Sequence, residues 1–403
     1  MDKNISSRIF GGIMLVAGTS IGAAILAMPI LTGLFGFLGT LVVLVLVWAF
    51  MYWVGTLILE ACLHFPKGAS FISLSRILGP TWSSINSVTF LLLFYSLVAA
   101  YLSSSGVVII DSLETFFGIT LPPFIDMLPL LVLLTPFIYF GLSVVDRLNR
   151  YMVAAMFVSY AMIVFLLLPK VEPELLAQCN FYFAPLSFSV VVTSFGFHVV
   201  VPTLVSYLDG NIKSIKRCLF YGSLIPLVFY AVWELVTLGT LPVDGSFGLA
   251  QALSNNHSLS KLFALKFNSN LLSTMVHSFS MLAIVTSFLG VAQGLFDFIK
   301  DGIKATTRHK ERLLALLLTF LPPVILILFF ESGFVALLEY AGALVSVALG
   351  IIPILVVWRL RQENPKGFYQ AAGGKTALVA GVIFFALVVL VVIFKNLGLL
   401  NLA

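Results

Sequence analysis

A chain of 403 residues that is 60% hydrophobic and only 10% Asp, Glu, Lys and Arg lies far from the roughly 25% charge of an ordinary soluble domain. Its mean hydropathy of +1.11 describes an integral membrane protein, and apolar runs recur from end to end, so no separate soluble domain fits between them. The formal charge of +5 and a pI near 9.0 imply a basic rim on an anionic leaflet rather than a nucleic-acid partner.

Crossing a hydrocarbon core of ~30 Å takes ~20 helical residues, and runs of that length predict eleven spans in one polytopic, all-α domain. The short start, Met1 to Arg8, has no small-residue cleavage site behind it, so span 1 (8–32) reads as retained. Span 1 carries "GTSIGAAILAMP", Gly18 to Pro29, at its middle. Spans 2 (36–60) and 3 (81–110) are separated by "HFPKGAS", and span 3 bears Tyr95, Tyr101 and a stripe of small residues. Spans 4 (128–145) and 5 (149–169) follow with a very short connection. Span 6 (186–208) is interrupted at "TSFGFHVVVP", Thr193 to Pro202, and span 7 (217–241) contains Glu234. Span 8 (269–299) has a small-residue stripe that includes His277, Thr286 and Ser287. Spans 9 (311–330) and 10 (333–359) are again joined by a very short loop, on the opposite side from the loop between spans 4 and 5, and span 11 is 375–399. With the N-terminus inside, only Lys170, Lys261, Lys266 and Lys395 of the 22 Lys and Arg residues fall outside. That bias predicts a cytoplasmic N-terminus and an outer C-terminus.

The mirrored short loops suggest five helices (about 8–169) repeated in opposite orientation (about 186–359), with span 11 as an addition. Span 6 is then the partner of span 1, and both are broken near mid-depth, roughly 18–21 Å from a span end at 1.5 Å per residue. Unwound backbone at that depth is costly unless it lines a cavity or is buried in protein, and paired interrupted segments point to a carrier's binding site. Simple close packing through Gly18 and Gly22 is the alternative. Gly18, Thr19, Ser20 and Gly22 would offer a helix N-terminus to a carboxylate and carbonyls to an ammonium, with Thr193, Ser194, Phe195 and Gly196 completing the backbone site. One free α-amino acid satisfies both ends. Phe195, Phe197, His198, Tyr95 and Tyr101 would surround its side chain, which favours an aromatic guest.

Ionisable groups inside spans are usually functional. Glu60, Asp209 and Asp297 sit at inner span ends, while Glu234 and Glu339 lie toward the outside, where they could line an access route. His198, near the centre, is the natural proton acceptor; Thr286 and Ser287, opposite span-1 carbonyls, would instead serve a sodium ion. Cys62, Cys179 and Cys218 lack the paired spacing of a metal or redox site, and no HExxH pair or cluster of mid-depth carboxylates suggests a membrane enzyme. No metal or cofactor is expected. A channel would favour a repeated filter or a ring of like charges, and neither is present.

The segments "SRIFGGIMLVAGTSIGAAILAMP", "TSFGFHVVVPTLVSYLDGNIKSIKR", "TSFLGVAQGLFDF" and "LFFESGFVALLEYAG" closely resemble the hydroxy/aromatic amino acid permease family, over essentially the whole chain. That resemblance implies a leucine-transporter-type 5+5 inverted repeat and a proton symporter of the bacterial inner membrane. It also implies an aromatic amino acid as substrate, L-tyrosine first. A sodium-coupled carrier or one preferring tryptophan or phenylalanine remains the alternative. Glu234 and Glu339 are outside the family pattern, so no role transfers to them.

Overall fold

The computed structural model describes residues 3–66, 69–118, 127–140, 142–245, 248–254, 258–267, 269–304, 309–329, 333–363 and 369–400. These stretches are predominantly helical because a backbone in lipid must satisfy its own hydrogen bonds. Helices α1 (Lys3–Ser20) and α2 (Ala24–Thr32) form one span bent by 56° at Ile21–Ala23. α3 (Phe37–Cys62), short α4 (Phe71–Ser75), α5 (Pro80–Phe117), α6 (Leu128–Phe140) and α7 (Leu142–Leu167) complete the first half. After α8 (Pro173–Leu176), α9 (Ala184–Ser194) and α10 (Val201–Tyr207) make a second interrupted span, followed by α11 (Ile212–Leu238). Two short helices, α12 (Leu249–Ser254) and α13 (Leu259–Phe267), precede α14 (Asn270–Gly302) and α15 (His309–Phe329). α16 (Phe334–Val345) and α17 (Ile352–Glu363) are joined by a π-helical turn at Ser346–Ile351, and α18 (Lys375–Asn396) closes the chain.

Among the described residues nine helices are long and apolar enough to cross a membrane, and the bent α1–α2 pair makes ten. The expected fourth span differs. The sequence suggests 128–145, yet α6 ends at Phe140 and Leu142–Val145 already belong to α7. α6 has 13 residues, about 20 Å at 1.5 Å per residue, so it is short for a crossing. Span 7 begins earlier than expected, because the Asn211 side chain accepts from Ser214 N and caps α11 at 212. Connections that read as loops also contain α4, α8, α12 and α13, each too short for an apolar-run criterion to find.

Burial separates centre from periphery. The central windows of α14 and of the α16–α17 span are 67% buried, whereas that of α7 is 17% and its remaining surface is apolar, as lipid contact requires. On the face where α1 begins, here the N-terminal face, buried Glu60 binds Arg361 Nε at 2.8 Å and Arg361 Nη2 at 2.6 Å, and accepts Ala371 N at 2.7 Å. This clasp ties α3 to α17 and to the segment after it. Arg8–Asp209 (3.0 Å) and Lys300–Asp297 (3.5 Å) lie on the same face, so the inner-end acidic residues serve as ion-pair partners.

Candidate functional site

At the first break, helical bonding stops because donors lose their partners in register. Ile21 N still reaches Ala17 O (3.0 Å), but Ala23 N turns to Ser287 Oγ at 2.9 Å, and Gly22 N has no acceptor among the described residues. The carbonyls of Gly18 and Thr19 therefore receive no i+4 donor. Ser20 O is taken by the Tyr230 hydroxyl at 2.6 Å. A Cβ at Gly22 would stand 2.6 Å from Ser287 Oγ, whereas one at Gly18 would meet nothing within 4 Å. Gly22 thus lets span 1 close on α14, and Gly18 leaves space open.

The second break is tighter. Phe195 N bonds back to Val191 O and Val192 O at 3.3 and 3.2 Å, and Gly196 N to Thr193 O at 3.1 Å. The same Tyr230 hydroxyl lies 3.1 Å from Ser194 O, so one side chain of α11 reaches both interruptions.

A cavity of about 580 Å³ adjoins the two breaks. From the expected set it is lined by Gly18, Thr19, Ser20, Gly22, Tyr101, Thr193, Gly196, Thr286 and Ser287. Phe90, Phe94, Asn149 and Val199, which lie outside the expected set, also line it. Most of its hydroxyls are already committed to carbonyls of their own helices: Thr19 to Leu15 O (2.6 Å), Thr193 to Ser189 O (2.9 Å) and Thr286 to Leu282 O (2.8 Å). This is the usual back-bonding of Ser and Thr inside helices. Tyr101 interacts with the Ser287 hydroxyl. Asn149 Oδ1 is buried without a partner.

Five expected residues are not brought to the cavity wall. Phe195 packs edge-on to Tyr230 (5.6 Å between centroids), and Phe197 stacks on His198 (4.5 Å), all of them buried. His198 Nε2 donates to Met51 O at 2.8 Å and its Nδ1 has no partner. Ser194 Oγ donates to Val190 O (2.8 Å), and Tyr95 donates to Leu318 O (3.0 Å) on α15. The second break thus lends backbone to the cavity and sends its aromatic side chains into the protein.

The cavity opens toward the N-terminal face. Its walls beyond the breaks come from Met14 and Leu15 of α1, Asn149 and Val153 in the first half of α7, and Gly290 and Gly294 in the second half of α14. On the far side the path is packed shut. Trp233 Nε1 donates to Ile25 O (3.1 Å), and Trp233 lies 5.0 Å from Phe279. Tyr160 stacks on Phe229 at 3.7 Å, and Lys266 Nζ bonds Thr240 O at 2.6 Å. Glu234, expected at an access route, is instead sealed in this plug with Thr32.

A largely apolar, one-sided cavity with free backbone groups at two helix breaks describes a carrier. The sequence profile of the tryptophan/tyrosine permease family matches residues 5–394. The chain belongs to the tryptophan/tyrosine permease family. Such membership makes it a permease rather than a polytopic enzyme, and a multi-pass membrane protein. It is 32% identical over 398 residues to the tyrosine-specific transport system 2 of Haemophilus influenzae, covering 96% of each chain. It is equally 32% identical over 385 residues to a tryptophan-specific transport protein of Pseudomonas aeruginosa, covering 93% of this chain and 92% of that one. The low affinity tryptophan permease of Escherichia coli is 29% identical over 397 residues. Among solved structures, a mutant manganese transporter of Eremococcus coleocola superposes with a TM-score of 0.63 at 15% identity, over 96% of this chain and 85% of that one. This likeness shows the leucine-transporter-like fold that the permease shares.

Proposed function

We propose that this permease imports aromatic amino acids, L-tyrosine before tryptophan and phenylalanine, by proton symport across the bacterial inner membrane, with its N-terminus cytoplasmic. The residues 8–169 and 186–359 act as inverted repeats, and α18 stands outside them. The observation that carries the reading is the cavity that adjoins both breaks. About 580 Å³ falls within the usual size of small-molecule sites. Unpaired Gly22 N–H supports binding of a carboxylate, and the free Gly18 and Thr19 carbonyls support binding of an ammonium. Phe90, Phe94 and Tyr101 supply the aromatic wall that Phe195 and Phe197 were expected to supply. Tyrosine-specific and tryptophan-specific relatives are equally similar, so the order of substrates rests on the family resemblance of the quoted motifs, which implies tyrosine first.

Proton coupling is favoured over sodium at Thr286–Ser287. A sodium ion needs oxygen lone pairs turned toward it, and Ser287 Oγ already accepts the Ala23 N–H, which leaves Thr286, whose hydroxyl proton goes to Leu282 O, as the one hydroxyl of the pair with both lone pairs open. The test is uptake of labelled tyrosine into proteoliposomes under separately imposed proton and sodium gradients. An inward proton gradient should concentrate tyrosine and a sodium gradient should not. Competition by unlabelled tyrosine should exceed that by tryptophan and phenylalanine; better competition by leucine or serine would end the aromatic reading.

A further inference from the structure

Buried carboxyl groups in this protein are paired, with one exception among the described residues. Glu60 is held by Arg361, and Glu339 Oε1 and Oε2 each lie 2.8 Å from Lys395 Nζ. Glu234 is completely buried, makes no ion pair, and has an Oε1 without any partner. An ionised carboxylate left alone in such a place is costly.

Among the described residues no compensating charge stands beside it. α2 has no titratable residue. On α1, Arg8 is bound to Asp209. α3 contributes Tyr52, Cys62 and the clasped Glu60, and α7 contributes Tyr160, whose ring lies 6.0 Å from that of Trp233. Beyond the end of α11, Lys266 is engaged by Thr240 O and by Glu172 at 3.3 Å. α8 carries only Glu174.

Thr32 Oγ1 stands 2.8 Å from Met28 O and 2.9 Å from Glu234 Oε2, placed to donate to either. A hydroxyl has one proton and a carbonyl can only accept. Both short contacts are satisfied together when Thr32 donates to Met28 O and a protonated Glu234 donates to Thr32. Thr32 ends α2, the half of the broken span that lies on the far side of the cavity. One turn along the same face of α11, Tyr230 reaches Ser20 O at the break.

We infer that Glu234 is the binding site of the coupling proton. Its carboxylate takes a proton from water when the far side is open, the neutral carboxyl then latches α2 to α11 through Thr32, and after the substrate has left the proton passes to cavity water as the plug loosens beside Tyr230, whose hydroxyl reaches the cavity-lining Ser20. The inference rests on the proton-coupled import proposed above and names the group that couples it.

Labelled L-tyrosine and L-tryptophan in proteoliposomes test it. One pH unit supports up to about tenfold accumulation for one proton per substrate. Wild type should approach that under an acid exterior. E234Q should still exchange internal for external amino acid within about threefold of the wild-type rate, yet accumulate none with the gradient; E234D and H198Q should accumulate. Accumulation by E234Q equal to wild type overturns the inference, as does loss of accumulation in H198Q alone. Should E234Q fail to exchange at all, T32V decides: it keeps the carboxyl, and an unchanged pH profile of uptake overturns the latch. No wild-type uptake of either amino acid, or uptake driven only by sodium, instead removes the proposed function. Proton-driven wild-type uptake with a fully coupled E234Q removes this inference alone.

Discussion

The two helix breaks look alike in sequence, each a glycine flanked by hydroxyl residues in an apolar span, yet they do different work. The first bends its span by 56°, leaves a donor and two carbonyls free, and lines the cavity along Gly18–Gly22. The second passes through a short 3-10 turn, folds its donors back on Val191 to Thr193, and buries Phe195, Phe197 and His198 in protein. The first break is therefore suited to bind and the second to brace. The difference follows from what lies opposite. Ser287 on α14 offers an acceptor that pulls Ala23 N out of the helix, whereas nothing comparable stands against Phe195 N.

The strongest challenge to that contrast is Phe195→Ala. Emptying a fully buried aromatic site costs about 3–5 kcal/mol, so thermal stability in detergent should fall sharply while the tyrosine-to-tryptophan preference of surviving carrier stays put. A changed preference at unchanged stability would make the second break a substrate wall after all. Next is Gly22→Ala, which drives a Cβ to within 2.6 Å of Ser287 Oγ; overpacking costs about 1–3 kcal/mol, so uptake should drop roughly 10- to 100-fold. Ser287→Ala in the same chain should recover much of it, because the oxygen that is struck is gone. No recovery would mean that Gly22 is needed for the substrate itself. Tyr230→Phe removes the hydroxyl shared by Ser20 O and Ser194 O, and a buried carbonyl left unpaired costs about 1–3 kcal/mol. Stability and exchange should fall modestly together, and a change in substrate affinity alone would contradict a bracing role. Smallest is Gly18→Ala. Nothing obstructs the new methyl, so stability should hold while the apparent affinity for tyrosine weakens about tenfold, as expected for one methyl-sized intrusion into a pocket.

The architecture was legible in the chain because lipid enforces it: a run of about 20 apolar residues has few alternatives to a helix, and glycine with Thr or Ser at mid-span marks where that helix stops. Both breaks, the helical class and most span boundaries could be read that way, and so could the membership of Gly18, Thr19, Gly22, Thr193 and Gly196 in one cavity wall. Side-chain direction could not. Within a broken segment the helical period is lost, so nothing in "SFGFH" tells which aromatic residue faces the pathway; packing against Tyr230 and α3 turned Phe195 and His198 away, and Phe90 and Phe94 of α5 took the wall instead. The i, i+4 row of Cys218, Gly222, Pro226, Tyr230 and Glu234 on α11 is a readable sign of a face packed along span 1, since small and polar residues mark helix contacts in membranes. What that face touches was beyond the sequence. That Tyr230 bridges two interruptions, and that Glu234 meets Thr32 across 202 positions instead of a cation, depends on which helices are neighbours, and only the folded chain decides that.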